Sequence, residues 1–185
     1  MLSTLLNDRE AKAAVRFRRN PHRDAAEHAY AGVVAQARRP EFFTGCGVPD
    51  TLDGRFELVC LHAFLYLRRL KGEAAAVAVS QEFFDAMFAD FDRSLREIGT
   101  GDLSVGRQVN RMAEAFYGRI HAYEEGLAGD GAALAAALSR NLYGTAPASS
   151  DRLARMIAYV RREAERLASE PVAALIGGNF TFGPP

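Results

Sequence analysis

The 185-residue chain lacks net charge: 23 basic side chains stand against 23 acidic ones. No global field therefore draws it to nucleic acid or to anionic lipid, and a nucleic-acid partner is not expected. Cysteine is scarce. Cys46 and Cys60 stand apart without CxxC spacing, which excludes a disulfide framework and fits a reducing compartment. Cys60, inside an apolar run, reads as a small buried hydrophobe. Long hydrophobic runs are also missing. The strongest, LVCLHAFLYL at 58 to 67, is about half a bilayer span. Neither a transmembrane helix nor a secretory signal is visible. The N-terminal arginines Arg9, Arg16, Arg18 and Arg19 are mixed with Asp8 and Glu10, so this end reads as an ordinary helix rather than a presequence.

The usual signatures of catalysis are absent too. His22, His28, His62 and His121 are scattered, with no HxxxH, HExxH or ExxH spacing, so no metal set is expected. His62 reads as a hydrogen-bonded core histidine. There is no GxSxG and no P-loop. GTGD at 99 to 102 has neither the lysine nor the preceding strand that a phosphate loop needs, and reads as a helix–helix turn. No cofactor and no enzymatic centre is expected.

What the chain does contain is helical periodicity. Around residues 81 to 119 two amphipathic patterns meet across a short turn. Phe84, Met87, Phe88, Phe91, Leu95 and Ile98 step by three and four, and so do Val105, Val109, Met112, Phe116, Ile120 and Tyr123. Gly99 and Gly101 are expected to supply positive-φ residues at the turn, with Ser104 capping the second helix. Other helices are expected at 3 to 19, 24 to 38, 51 to 70, 73 to 98, 104 to 127, 132 to 143 and 150 to 168. A last short turn is opened by Pro171, and the tail GGNFTFGPP is irregular. Thr51 or Asp50, and Ser149 or Ser150, are the candidate caps. The stretch 39 to 51 reads as a loop whose Phe42 and Phe43 fold back onto the core, and as a candidate binding edge. No segment alternates with period two. The fold class is all-α: a single-domain bundle of about six or seven helices over 1 to 185, with a central hairpin. Residues 1 to 22 form a loosely docked N-terminal helix and 176 to 185 an irregular tail.

Two features of the hairpin admit a structural and a functional reading. Asp85 and Asp92 lie seven apart on one flank of the Phe stripe. Asp92 with Arg96, and Arg93 with Glu97, are i,i+4 pairs, while Asp102 can cap the second helix or pair with Arg107. These charges can be a solvated face, or the polar anchor of a partner-binding groove. Phe83, Phe84, Met87, Phe88 and Phe91 cover more than one narrow stripe. Burial of the whole set makes them core; exposure of Phe83 or Met87 makes them a groove.

The blocks VPDTLDGRFELVCLH (48 to 62), RLKG (69 to 72) and QEFFDAMFADFDRSLREIGTGDLSVGRQVNRMAEAFYGR (81 to 119) resemble the ubiquinol–cytochrome c chaperone family, the assembly chaperones of respiratory complex III. The resemblance extends more weakly over 25 to 145 and favours the shorter bacterial members. It implies an all-helical, non-enzymatic factor whose client is cytochrome b or another complex III subunit, with a co-chaperone as a further partner. The location it implies is cytoplasmic, with peripheral association at the inner face of the membrane left open. The expected partner face is Asp85, Asp92, Arg93, Arg96, Gly99, Gly101, Asp102 and Ser104. The alternatives are a helical binder of a hydrophobic small molecule such as a quinone or lipid, and a homodimeric interaction module.

Overall fold

The structure, a computed structural model, describes residues 20–129 and 131–185; the helix expected at 3 to 19 lies outside them. Asn20 and Pro21 open the first described helix, α1, Pro21–Ala37. The Asn20 side chain accepts the His22 N–H at 3.1 Å, and Pro21 occupies the first turn, where its missing N–H costs nothing. The helix thus starts three residues earlier than its apolar pattern suggests.

Pro40–Thr44 forms a short helix, α2, inside the stretch expected as a loop. Phe42 is fully buried there, edge-on to the rings of His62 and Tyr159 at 5.2 and 5.1 Å. The Tyr143 hydroxyl donates to the Cys46 carbonyl at 2.8 Å, so this segment is tied inward.

Thr51 caps α3, Leu52–Leu70, by accepting the Gly54 N–H at 3.1 Å. The run from Cys60 to Tyr66 is buried throughout, which makes α3 the middle of the bundle. It packs against α1 and against the four later helices α4, α5, α7 and α8. Between α3 and α4 the chain makes a 3-10 turn, Ala74–Ala76, and then α4 runs Val77–Glu97. The remaining helices are α5 (Asp102–Ala128), α6 (Ala132–Asn141), α7 (Ser150–Ser169, capped by Ser149) and α8 (Val172–Ile176). The described residues form an all-α fold, with six helices of ten residues or more and two of five. Both cysteines are free and buried.

Helix α4 settles why five large apolar groups fall in nine positions: it has two partners. Phe83 turns to α1 and α3, meeting Tyr30 at 5.7 Å and Tyr66 at 4.7 Å. Phe84 and Phe88 turn to Phe116 on α5 at 6.3 and 6.4 Å, and Phe91 turns to Phe56 on α3 at 5.1 Å. Tyr30 on α1 also donates to Asp90 at 2.8 Å, fastening the α1–α4 crossing. At the far end of α5 the backbones of α5 and α6 come close. A Cβ added at Gly126 would sit 2.6 Å from Leu134 Cα, so only glycine fits there.

Candidate functional site

The hairpin turn closes as a Schellman motif. Gly99 adopts φ +87°, the Thr100 N–H reaches the Leu95 carbonyl at 3.0 Å, and the Gly99 N–H reaches that of Arg96 at 3.0 Å. The other expectations for the turn are corrected. Gly101 has φ −62° and serves as the backbone N-cap of α5. Helix α5 therefore starts at Asp102, and Ser104 lies in its first turn rather than capping it. Asp102 pairs with Arg96, not Arg107. Arg93 pairs with Asp90 at 2.5 Å rather than with Glu97.

Arg96 is the clasp of this corner. It holds Asp92 at 2.7 Å on its own helix and Asp102 across the turn, and its hydrogen bond keeps the Asp92 carboxyl below the usual carboxylate range. Asp92, Arg96, Gly99, Gly101, Asp102 and Ser104 are thereby gathered at one exposed corner. Asp85 is not part of it. It lies two turns back, accepting from Gln81 at 2.9 Å, and Arg93 points to Asp90.

Phe83 and Met87 are fully buried, so the hydrophobic groove expected from their exposure is not formed by them. An open apolar groove of about 620 Å³ lies instead at the other end of α4. Its walls are the last two turns of α3, the first two of α4 and the middle of α5. Val77 and Tyr117 stand in it 68% and 60% exposed, and Phe84 and Ile120 line its floor. Phe84 lies 5.8 Å from the Tyr117 ring, and Gln81 on the rim connects the groove to Asp85. At the rim Arg68 bonds Glu124 at 3.3 Å and Arg69 bonds Glu73 at 3.1 Å. The signal in the sequence was apolar residues out of register with their stripes: Val77 beside buried Ala76, and Tyr117 beside buried Phe116. Beyond the groove, Arg119 grips Glu57 through both guanidinium arms, one at 2.6 Å, fixing α5 on α3. Burial pushes the Glu57 carboxyl up, and Arg119 works against that shift.

The opposite side of α3 is closed. The His62 Nδ1–H donates to the Leu58 carbonyl at 2.7 Å, which leaves Nε2 to accept the Tyr159 hydroxyl, also at 2.7 Å. Gln36 donates to Tyr159 at 2.9 Å and to the Gly183 carbonyl at 2.7 Å. Burial lowers the His62 pKa to about 4, so the ring is neutral near pH 7. Glu163, with no exposed surface, accepts from Arg166 and from the Gly183 N–H, both at 2.9 Å. The tail is irregular, as its composition suggests, yet firmly seated. Phe180 stacks on Tyr66 at 4.9 Å, and Phe182 meets the His62 ring edge-on at 4.9 Å. No group of three or more His, Cys, Asp or Glu among the described residues is placed to hold a metal, and none of their helices is long and apolar enough to cross a membrane.

The family described as ubiquinol-cytochrome C chaperone matches this chain over residues 44–182. The chain belongs to that family. The match takes in α7, α8 and the seated tail, beyond the 25 to 145 over which the resemblance is readable. A ubiquinol-cytochrome-c reductase complex assembly factor 1 from Xenopus laevis is 31% identical over 144 residues, 77% of this chain and 72% of that protein. The Mus musculus assembly factor 1 is 29% identical over 146 residues, 78% of this chain and 50% of that protein. The chain thus spans about half the length of the mouse relative. The crystal structure of the Cbp3 homolog from Brucella abortus is 36% identical and matches with a TM-score of 0.80, covering 100% of this chain and 97% of that one.

Proposed function

We propose that this chaperone-family protein is a non-enzymatic assembly factor for respiratory complex III, working as one helical domain. In this reading it shields an apolar segment of a membrane-protein client, cytochrome b, before that client is built into the complex. Family membership and the printed names of its relatives support the complex III assignment. The observation that supports an apolar client is the open groove between α3, α4 and α5, where Val77 and Tyr117 stay exposed while most large apolar side chains among the described residues are buried or half-buried. The corner of Asp92, Arg96 and Asp102 stands apart from the groove at the far end of α4, a second, charged contact point that helps to fix register and exclude wrong partners. Because the groove is open, it suits a polypeptide better than a quinone or lipid, which needs enclosure over most of its surface. A peripheral position at the inner face of the cytoplasmic membrane places the protein where such a client emerges.

Val77→Arg in the native organism tests this reading. Complex III and mature cytochrome b are expected to fall severely, and cytochrome b to stop co-purifying, while the variant's own thermal midpoint stays unchanged. Normal cytochrome b levels would sink the proposal.

A further inference from the structure

The charges around the groove are not balanced evenly. Arg68 is held by Glu124, and Glu73 by Arg69. Lys71 at the C-terminal end of α3 is exposed, lines the groove, and has no ion-pair partner among the described residues. It is also the only lysine among them, in a chain whose other cations there are arginines engaged elsewhere or outside the groove. One exposed ammonium, unpaired among the described residues, thus stands at one end of an apolar trough.

The walls also restrict the shape of the occupant. The three long walls are helices, whose backbone N–H and C=O groups bond within the helix, and only the connection at 71 to 74 closes one end with non-α-helical backbone. An extended peptide laid in the trough would find no free ladder for its own backbone, and its polar groups would lose water without replacement. A helix brings its hydrogen bonds with it, leaving only side chains to be matched. From Phe64 to Lys71 the α3 wall is about two turns, on the order of 10 Å, which fits an occupant of similar length.

We propose that the groove takes a short apolar helix of the client that carries a carboxylate at one end, and that Lys71 pairs with that carboxylate to set the direction of binding. This rests on the groove being the client site. Val77 and Tyr117 supply the apolar contact; Lys71 supplies orientation rather than most of the affinity.

The test uses the full chain and two dye-labelled helical peptides with the same leucine stripe, one ending the stripe in Glu and the other in Lys. Fluorescence anisotropy is expected to show the Glu peptide binding about tenfold tighter at low salt, where such a pair is least screened. Lys71→Glu should reverse that preference, and Val77→Arg should abolish binding of both. Equal binding of the two peptides, with both lost in Val77→Arg, overturns the role of Lys71 while the groove reading stands. If neither peptide binds and Val77→Arg cells assemble complex III normally, the groove reading fails as well. Lys71-dependent binding to phosphatidylglycerol vesicles in place of the peptides overturns the proposal in favour of a lipid surface. A concentration-dependent dimer broken by Val77→Arg overturns it in favour of a second copy.

Discussion

The two sides of α3 use their residues in opposite ways. On the side facing α1, α7 and the tail, the buried polar groups His62, Tyr159, Gln36 and Glu163 bond one another or the tail backbone. On the side facing α4 and α5, apolar groups are left in solvent at the groove, and Lys71 stands without an ion-pair partner among the described residues. A buried polar group without a partner is costly, so the first side is locked into one arrangement. An exposed apolar group costs little and waits for a contact. The difference separates what holds the protein together from what it offers to another molecule.

Substitutions should divide along the same line. Glu163→Ala removes a carboxylate with no exposed surface and leaves the Arg166 Nε–H and the Gly183 N–H without their acceptor. A loss of about 3 to 5 kcal/mol is expected, read as a drop in thermal midpoint, since breaking one partner of a buried charge network strands the other. A variant as stable as the parent would show that the closed side is not locked. The next effect is on pH. The His62 pKa is about 4 in the fold against an ordinary 6.5, so the unfolded chain binds the proton first. The His62 contribution to stability should be full above about pH 6.5, fall as the pH drops from there to about 4, and level off below. The total is on the order of 3 kcal/mol. Urea unfolding across this range measures it, and His62→Gln should flatten the slope.

On the other side, Gly99→Ala forces φ +87° on a residue with a Cβ, which should cost about 1 kcal/mol in chemical denaturation and loosen the hairpin turn. The smallest stability effect belongs to the charged corner. Asp92→Arg with Arg96→Asp retains an ion pair between the two exposed positions while inverting the field a partner meets. The thermal midpoint should barely move, yet complex III assembly should weaken. Unimpaired assembly would reduce the corner to a helix clasp and leave the groove as the interaction surface.

Much of the fold is legible along the chain because helices are local. Periodicity places Phe84, Phe88 and Phe91 on one face, and Thr51, Ser149 and Gly99 mark ends through bonds to residues three to five positions away. The start of α1 escapes because Asn20 and Pro21 open it three residues before its apolar pattern begins. The short helix at Pro40–Thr44 escapes because five residues carry too little periodicity. For the candidate site the balance is reversed. The charges of the corner are readable, but Arg96 chooses Asp102 only because the Schellman turn swings α5 back beside it. The groove is not readable, since its walls come from three helices and its signal is merely Val77 and Tyr117 standing out of step.

The long helices, the Thr51 and Ser149 caps, the central place of α3 and the family to which the chain belongs are legible in the residue order alone, because they depend on neighbours within a few turns or on residues in fixed order. Which side of α3 closes is settled by contacts between distant parts of the chain. Partners such as Gln36 with Tyr159 and Glu57 with Arg119 are separated by 123 and 62 residues. Whether an apolar side chain ends in the core or in an open groove depends on which helix arrives to cover it.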